Sequence, residues 1–230
     1  MTGRISGRIA GLAATLIAAF GPVAGAQSAV HAAARGTSGH HAASTADRPT
    51  RYVVAPTGNE ARYRVREQLV GVELPNDAVG TVHEISGTLL VDPNGAVVRD
   101  SSRIIVRMKK LTSDKTRRDG YVQRRTLETS KFPTVELVPT ALNGLTPASL
   151  TSTPTPFVLA GDLTVHGVTR PTTWKATAHT DGADIVGTAS TWFTFKDFSL
   201  NQPSVPVVLS VNDTITLEYD FRFSPAGKTP

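Results

Sequence analysis

The sequence predicts an all-β domain of about eight antiparallel strands with one helical excursion. Three observations predict it. Apolar and polar residues alternate in several runs, most clearly where Ile215, Leu217, Tyr219, Phe221 and Phe223 interleave with Thr216, Glu218, Asp220 and Arg222, the period of a half-buried strand. The 230 residues include 19 Gly and 15 Pro with many Thr and Val, which suits short strands broken by turns better than a helix bundle. Turn chemistry falls between the runs: Asp92-Pro93-Asn94-Gly95 closes one hairpin and Asp181-Gly182 another, so sequential strands are mostly antiparallel neighbours.

Taken from the N-terminus, the first 26 residues have the grammar of a secretory signal peptide. Arg4 and Arg8 precede an apolar run from Ile9 to Phe20, a Gly21-Pro22 break and the small residues Ala24-Gly25-Ala26, which predicts cleavage after Ala26 and a periplasmic or secreted protein. About a dozen apolar residues fall short of the roughly 20 that span a bilayer. Residues 27–55 are predicted to be a disordered tail, because their Ala, Ser, Thr, Gly and His show no apolar period to offset the entropy of ordering them. His31, His40 and His41 read as part of that polar tail rather than as metal ligands.

The globular domain is expected over 56–226. Its strands are predicted at Ile85 to Val91, Ile104 to Met108, Val135 to Leu137, Phe157 to Val165, Trp174 to Ala178, Ile185 to Phe195 and Ile215 to Phe223. Thr112 to Thr126 breaks the alternation. It opens with Ser113 and Asp114, has sparse apolar points at Val122 and Leu127, and reads as a helix or helical loop over one end, although Gly120 weakens a helix by about 1 kcal/mol relative to Ala. Closing the strands into a barrel removes unprotected edges; an open sandwich is the other solution. An eight-stranded barrel either fills with side chains or holds one elongated ligand.

Charge and composition exclude several functions. Of the net +5, the signal and tail carry part, and residues 51–230 have 20 basic and 18 acidic residues, a net +2. Within them, 99–131 holds 11 basic and 4 acidic residues, so the basicity is a local patch of +7. Zero cysteines remove disulfides, thiolate catalysis, thiolate metal sites and a lipid-modified N-terminal Cys. There is no phosphate loop, HExxH or Gly-x-Ser-x-Gly motif, so no enzyme activity, metal or cofactor is expected. Asp162 and His166 share a strand face, but four residues at about 3.3 Å each put them some 13 Å apart, too far for a dyad. Only Tyr121 accompanies the basic cluster as a stacking aromatic, which argues against nucleic acid.

The run Gly161-Asp162-Leu163-Thr164-Val165-His166-Gly167-Val168-Thr169-Arg170-Pro171 closely resembles the signature strand and turn of the YceI-like family. Arg118-Asp119, then Lys131-Phe132-Pro133 and Val135-Glu136-Leu137, resemble that family's Arg-Asp element and its downstream aromatic-Pro strand. Asp197-Phe198 resembles its Asp-Phe-Gly turn, and Gly80 with Gly87 to Asp92 its early Gly-rich strands. The resemblance covers roughly Tyr63 to Phe223. Two departures stand out: Glu128-Thr129-Ser130 replaces the family's paired aromatics, and Ser199 replaces the turn glycine.

The resemblance implies an extended, lipocalin-like barrel, exported, holding a polyisoprenoid or similar long-chain amphiphile in its lumen as a carrier or in sequestration. Members of that family are often dimers, so a homodimer is one expected partner, and transient contact with a membrane is another. With that frame, alternation nominates Ile104, Val106, Met108, Leu159, Leu163, Trp174, Phe193, Phe195, Ile215, Leu217, Tyr219 and Phe221 as lumen residues, although they could equally fill a solid core. The small residues Ala160, Gly161, Gly187 and Ala189 would leave free volume if they point inward. Arg117, Arg118, Arg124 and Arg125 are candidates for a lid or headgroup contact. One rival reading is an enzyme using Arg118, Asp162 and His166 in a shared cleft; another is a partner-binding or stress-response module without a lumen ligand.

Overall fold

A computed structural model describes residues 48–227. The expected signal peptide, the tail up to residue 47 and the three tail histidines lie outside them. Among the described residues, eleven strands form a single antiparallel sheet. They are β1 (Thr50–Val54), β2 (Glu60–Leu69), β3 (Asn76–Val82), β4 (Ile85–Val91), β5 (Arg103–Arg107), β6 (Thr112–Ser113), β7 (Thr134–Asn143), β8 (Thr155–Val165), β9 (Val168–Asp181), β10 (Asp184–Thr194) and β11 (Val208–Pro225), with one short helix, α1 (Thr116–Tyr121), between β6 and β7.

The ring β1-β4-β5-β7-β8-β9-β10-β11 closes when β1 pairs with β11 through Val54↔Phe223. The sheet is therefore the closed eight-stranded barrel that the alternation and the edge argument predict. The other three strands extend wall positions already present. β2 continues β1 along the same edge of β11, from Val54↔Phe223 to Glu60↔Asp220. β4 follows β3 after two residues, and β6 follows β5 after a single helical turn at Met108–Lys110. Asn59 stitches the first break: its Oδ1 accepts from the Arg222 amide and the Tyr219 hydroxyl, each at 3.0 Å, and its Nδ2 donates to the Ala55 carbonyl at 2.9 Å.

Three expected boundaries move. The tail was expected to run to residue 55, yet Thr50–Val54 is a strand, because Tyr52 and Val54 pack on the core while β4 and β11 satisfy its backbone. Met108 and Phe195, expected in strands, start the helical turns Met108–Lys110 and Phe195–Phe198 instead. The helical excursion is shorter than expected: α1 has six residues, and a wide turn follows in which the Leu127 amide donates to the Val122 carbonyl five residues back at 2.8 Å. Ser113 and Asp114 do not cap it; Ser113 belongs to β6 and donates to Asp119 at 2.5 Å.

The signature turn has a backbone reason. His166 and Gly167 take φ of 51° and 75° between the paired residues Val165 and Val168, the two positive angles that a tight hairpin of matching twist requires. The Phe195–Phe198 turn is closed by Asp197, whose carboxylate accepts from the Thr194 amide at 2.7 Å, and it ends at Ser199 with φ of 54°. A side chain in that left-handed region costs about 1 kcal/mol that glycine avoids. Ser199→Gly is expected to stabilise the fold by about 0.5–1 kcal/mol in urea unfolding; an equal loss of stability would show that the Ser199 conformation is unstrained.

Candidate functional site

The barrel interior is divided. One end is packed around a small cavity of about 70 Å³, and the other holds a cavity of about 620 Å³. The larger volume is within the roughly 300–1,000 Å³ of sites that take a small ligand. Its wall is nearly all aliphatic and aromatic, supplied by the inward positions of β2, β3, β5, β7, β8, β9, β10 and β11.

Ten of the twelve nominated lumen residues line the large cavity: Ile104, Val106, Met108, Leu163, Trp174, Phe193, Phe195, Ile215, Leu217 and Tyr219. Leu159 and Phe221 do not. They border the small cavity, where Phe221 lies against Gly187 so closely that a Cβ there would meet its ring at 2.6 Å. None of Ala160, Gly161, Gly187 and Ala189 lines the large cavity; Gly187 admits the Phe221 ring and Gly161 the Leu137 side chain. Space in that cavity comes from Ala61, Ala78 and Gly80 on β2 and β3. Gly80 is opposite Tyr63, whose ring lies across it, and an added Cβ would be 2.1 Å from that ring.

Polar groups gather at one end of the cavity. Glu67 follows Tyr63 and Val65 on the inward face of β2 and is buried, and the Arg118 guanidinium of α1 reaches it at 2.5 Å. Arg118 also pairs with Asp114 and bonds Ser113 Oγ at 3.4 Å. Burial opposes the charge on Arg118, but its bonds to Asp114 and Glu67 prevail and raise its pKa. Tyr63 and Thr126 also line the cavity, with buried hydroxyls that find no partner in the protein. Burial is the main cause that pushes the Tyr63 pKa up to about 12, so its hydroxyl is a neutral donor and acceptor.

The four nominated arginines part company. Arg117 and Arg118 line the cavity, whereas Arg124 and Arg125 are exposed outside it. The signature residues serve the wall. Asp162 is paired with Arg99 at 2.6 Å, Thr164 bonds Thr169 at 2.8 Å, and the Gly161 carbonyl accepts from Thr172, which in turn accepts from the Trp174 indole at 2.9 Å. Pro171 is opposite Asp162 across β8 and β9, and Asp119 holds Ser113.

His166 does not share a strand face with Asp162 as expected. β8 ends at Val165, and the His166 ring turns onto Phe132 at 4.4 Å and bonds Glu128 at 2.9 Å. Glu128, one of the residues that departs from the family's aromatics, takes φ of 45°, and its pKa is lowered by bonds from Lys131 and His166. Arg118, Asp162 and His166 are each held by a different partner, and no bond joins the three.

Several site residues escaped the sequence reading. An acid at position 67, in step with Tyr63 and Val65 on an otherwise apolar strand face, was a signal for a buried pair. Tyr63, Thr126 and the segment around Leu200 to Val211 gave none.

Comparison with known proteins bears on this barrel. A family model described as a YceI-like domain matches residues 52–223. A UPF0312 protein of Pseudomonas fluorescens is 32% identical over 148 residues, covering 60% of this chain and 71% of its own length. Among solved structures, a polyisoprenoid binding domain from Saccharophagus degradans implicated in plant cell wall breakdown superposes with a TM-score of 0.58 at 11% identity, covering 76% of this chain and 98% of its own. BcnA of Burkholderia cenocepacia follows at 0.54 and 13%, covering 74% and 98%. At these identities the two structures speak for the fold.

Proposed function

The chain belongs to the YceI-like family, and from that premise we propose that it binds a polyisoprenoid or similar long-chain amphiphile in the barrel lumen, as an exported carrier or sequestering protein and not as an enzyme. One observation carries the reading: the open half of the barrel is a cavity of about 620 Å³ with an almost wholly apolar wall. Each methylene-sized group moved from water into such a wall is worth about 0.8 kcal/mol, so a few isoprene units suffice for micromolar binding after association costs. The unpartnered hydroxyls of Tyr63 and Thr126 offer hydrogen bonds to a polar atom of the ligand's head. Export rests on the N-terminal Arg4 and Arg8, the apolar run and the small-residue site.

Protein purified from membranes is expected to release a prenyl lipid on organic extraction and mass spectrometry. Delipidated protein is expected to melt higher when dansylated geranylgeraniol is added. Empty protein whose melting temperature ignores the probe would sink the lumen reading.

A further inference from the structure

Three segments ring the open end of the large cavity. The turn after β2 exposes Val70, Val72 and Leu74, the last at 75%. Beside it, Val207 just before β11 and Leu209 within it are 62% and 66% exposed, and the Val70 amide donates to the Val207 carbonyl at 3.0 Å, so both segments form one patch. Residues 201–211 contain no charge. The third segment is basic. β6 pairs antiparallel with β3 (Thr81↔Thr112, Gly80↔Ser113), which sends the chain toward the same turn, and there Lys115 and Arg117 join Val70, Val72 and Val207 in lining the cavity. Arg117, Arg124 and Arg125 are exposed, and no acid among the described residues pairs with any of them. Residues 114–125 carry a net +3, with Asp114 held by Arg118 and Asp119 by Ser113; Glu73 is the one acid in the aliphatic turn.

Five exposed aliphatic side chains, with Arg117 lining the cavity beside them and Arg124 and Arg125 farther along the same basic segment, form an amphipathic rim at the opening of an apolar cavity. We propose that this rim docks the protein onto an anionic lipid bilayer, with the aliphatic residues entering the headgroup region, the arginines on lipid phosphates and the cavity opening toward the membrane. Charge favours this occupant over a second copy of the chain, because a symmetric pairing of the patch would bring the two sets of arginines together. A bilayer surface complements both halves of the rim at once. The inference rests on the lumen reading only for the benefit of docking, and the test separates the two.

The experiment is co-sedimentation with vesicles of phosphatidylcholine alone and of phosphatidylcholine mixed with phosphatidylglycerol, alongside titration with dansylated geranylgeraniol. The parent is expected to bind the mixed vesicles and to bind phosphatidylcholine less. Leu74→Asp with Leu209→Asp should weaken vesicle binding about a hundredfold, at about tenfold for each leucine withdrawn from the interface. Arg117→Glu, Arg124→Glu and Arg125→Glu together should weaken it about a hundredfold, at about fivefold or more per residue. Val158→Asp, on the outer wall of β8 beside the packed end, should leave it unchanged. All the variants should melt as the parent does, and Leu74→Asp with Leu209→Asp, at two positions that do not line the cavity, should also bind the probe as the parent does. Rim variants that sediment like the parent, a Val158→Asp loss of the same size, or a patch that mediates dimers while ignoring vesicles would overturn the proposal. Vesicle binding in a protein that never takes up the probe would sustain it and sink the lumen reading instead.

Discussion

A protein carrying Val106→Trp and Leu217→Trp should fold normally and lose its affinity for prenyl ligands. Both residues line the large cavity from separate strands, β5 and β11, and both are only partly buried, because each borders free space rather than close-packed neighbours. The added indoles occupy lumen that a ligand would use. If together they displace about four methylene-sized groups, the loss is about 3 kcal/mol, or roughly a hundredfold in Kd for dansylated geranylgeraniol. The melting temperature should stay within about 2–4 °C of the parent. Leu159→Trp is the contrasting change: Leu159 is buried beside the small cavity, so overpacking there should cost about 1–3 kcal/mol and leave probe affinity alone. Unchanged affinity in the double variant would mean that the ligand lies elsewhere.

The contrast between those positions also marks what the sequence could reveal. Alternation put eight of the ten cavity-lining nominees on one face of their strands, because a one-residue error in period would have turned all of them outward, while Met108 and Phe195 lie in helical turns that continue two of those strands. It could not separate Leu159 and Phe221 from the rest. They occupy the same face as Leu163 and Tyr219, and only the three-dimensional taper, with Phe221 seated against Gly187, puts them in the packed end. The strand breaks were hidden for a related reason: β1 joins the barrel on the strength of Tyr52 and Val54 alone, too few matches to show a period. The pairing of Glu128 with His166 links positions 38 residues apart, and the rim joins Val70 to Val207. No local pattern encodes either. By contrast, the Asp181-Gly182 turn was legible, because the tight connection between β9 and β10 needs the positive φ, 63°, that Gly182 takes.

Removing Arg118 should be the most destabilising single change at the site. Glu67 is buried, and Arg118 bonds it at 2.5 Å, so Arg118→Met strands a carboxylate in the cavity wall at an expected loss of about 3–5 kcal/mol near neutral pH. Glu67→Gln together with Arg118→Met should recover most of that loss, because no buried charge is then left unpaired. Glu218 on the outer wall gives the fold a pH dependence of its own: burial opposes its charge, but the bonds from Arg64 and Arg62 prevail and lower its pKa. Its contribution is complete above the ordinary value of 4.5 and is lost as pH falls through the depressed one, in parent and variant alike. The comparison among parent, Arg118→Met and the double variant therefore belongs near neutral pH, where Glu218 contributes in full to all three. A double variant no more stable than Arg118→Met would show that Arg118 supports the fold through its packing and its bonds to Asp114 and Ser113 rather than by neutralising Glu67.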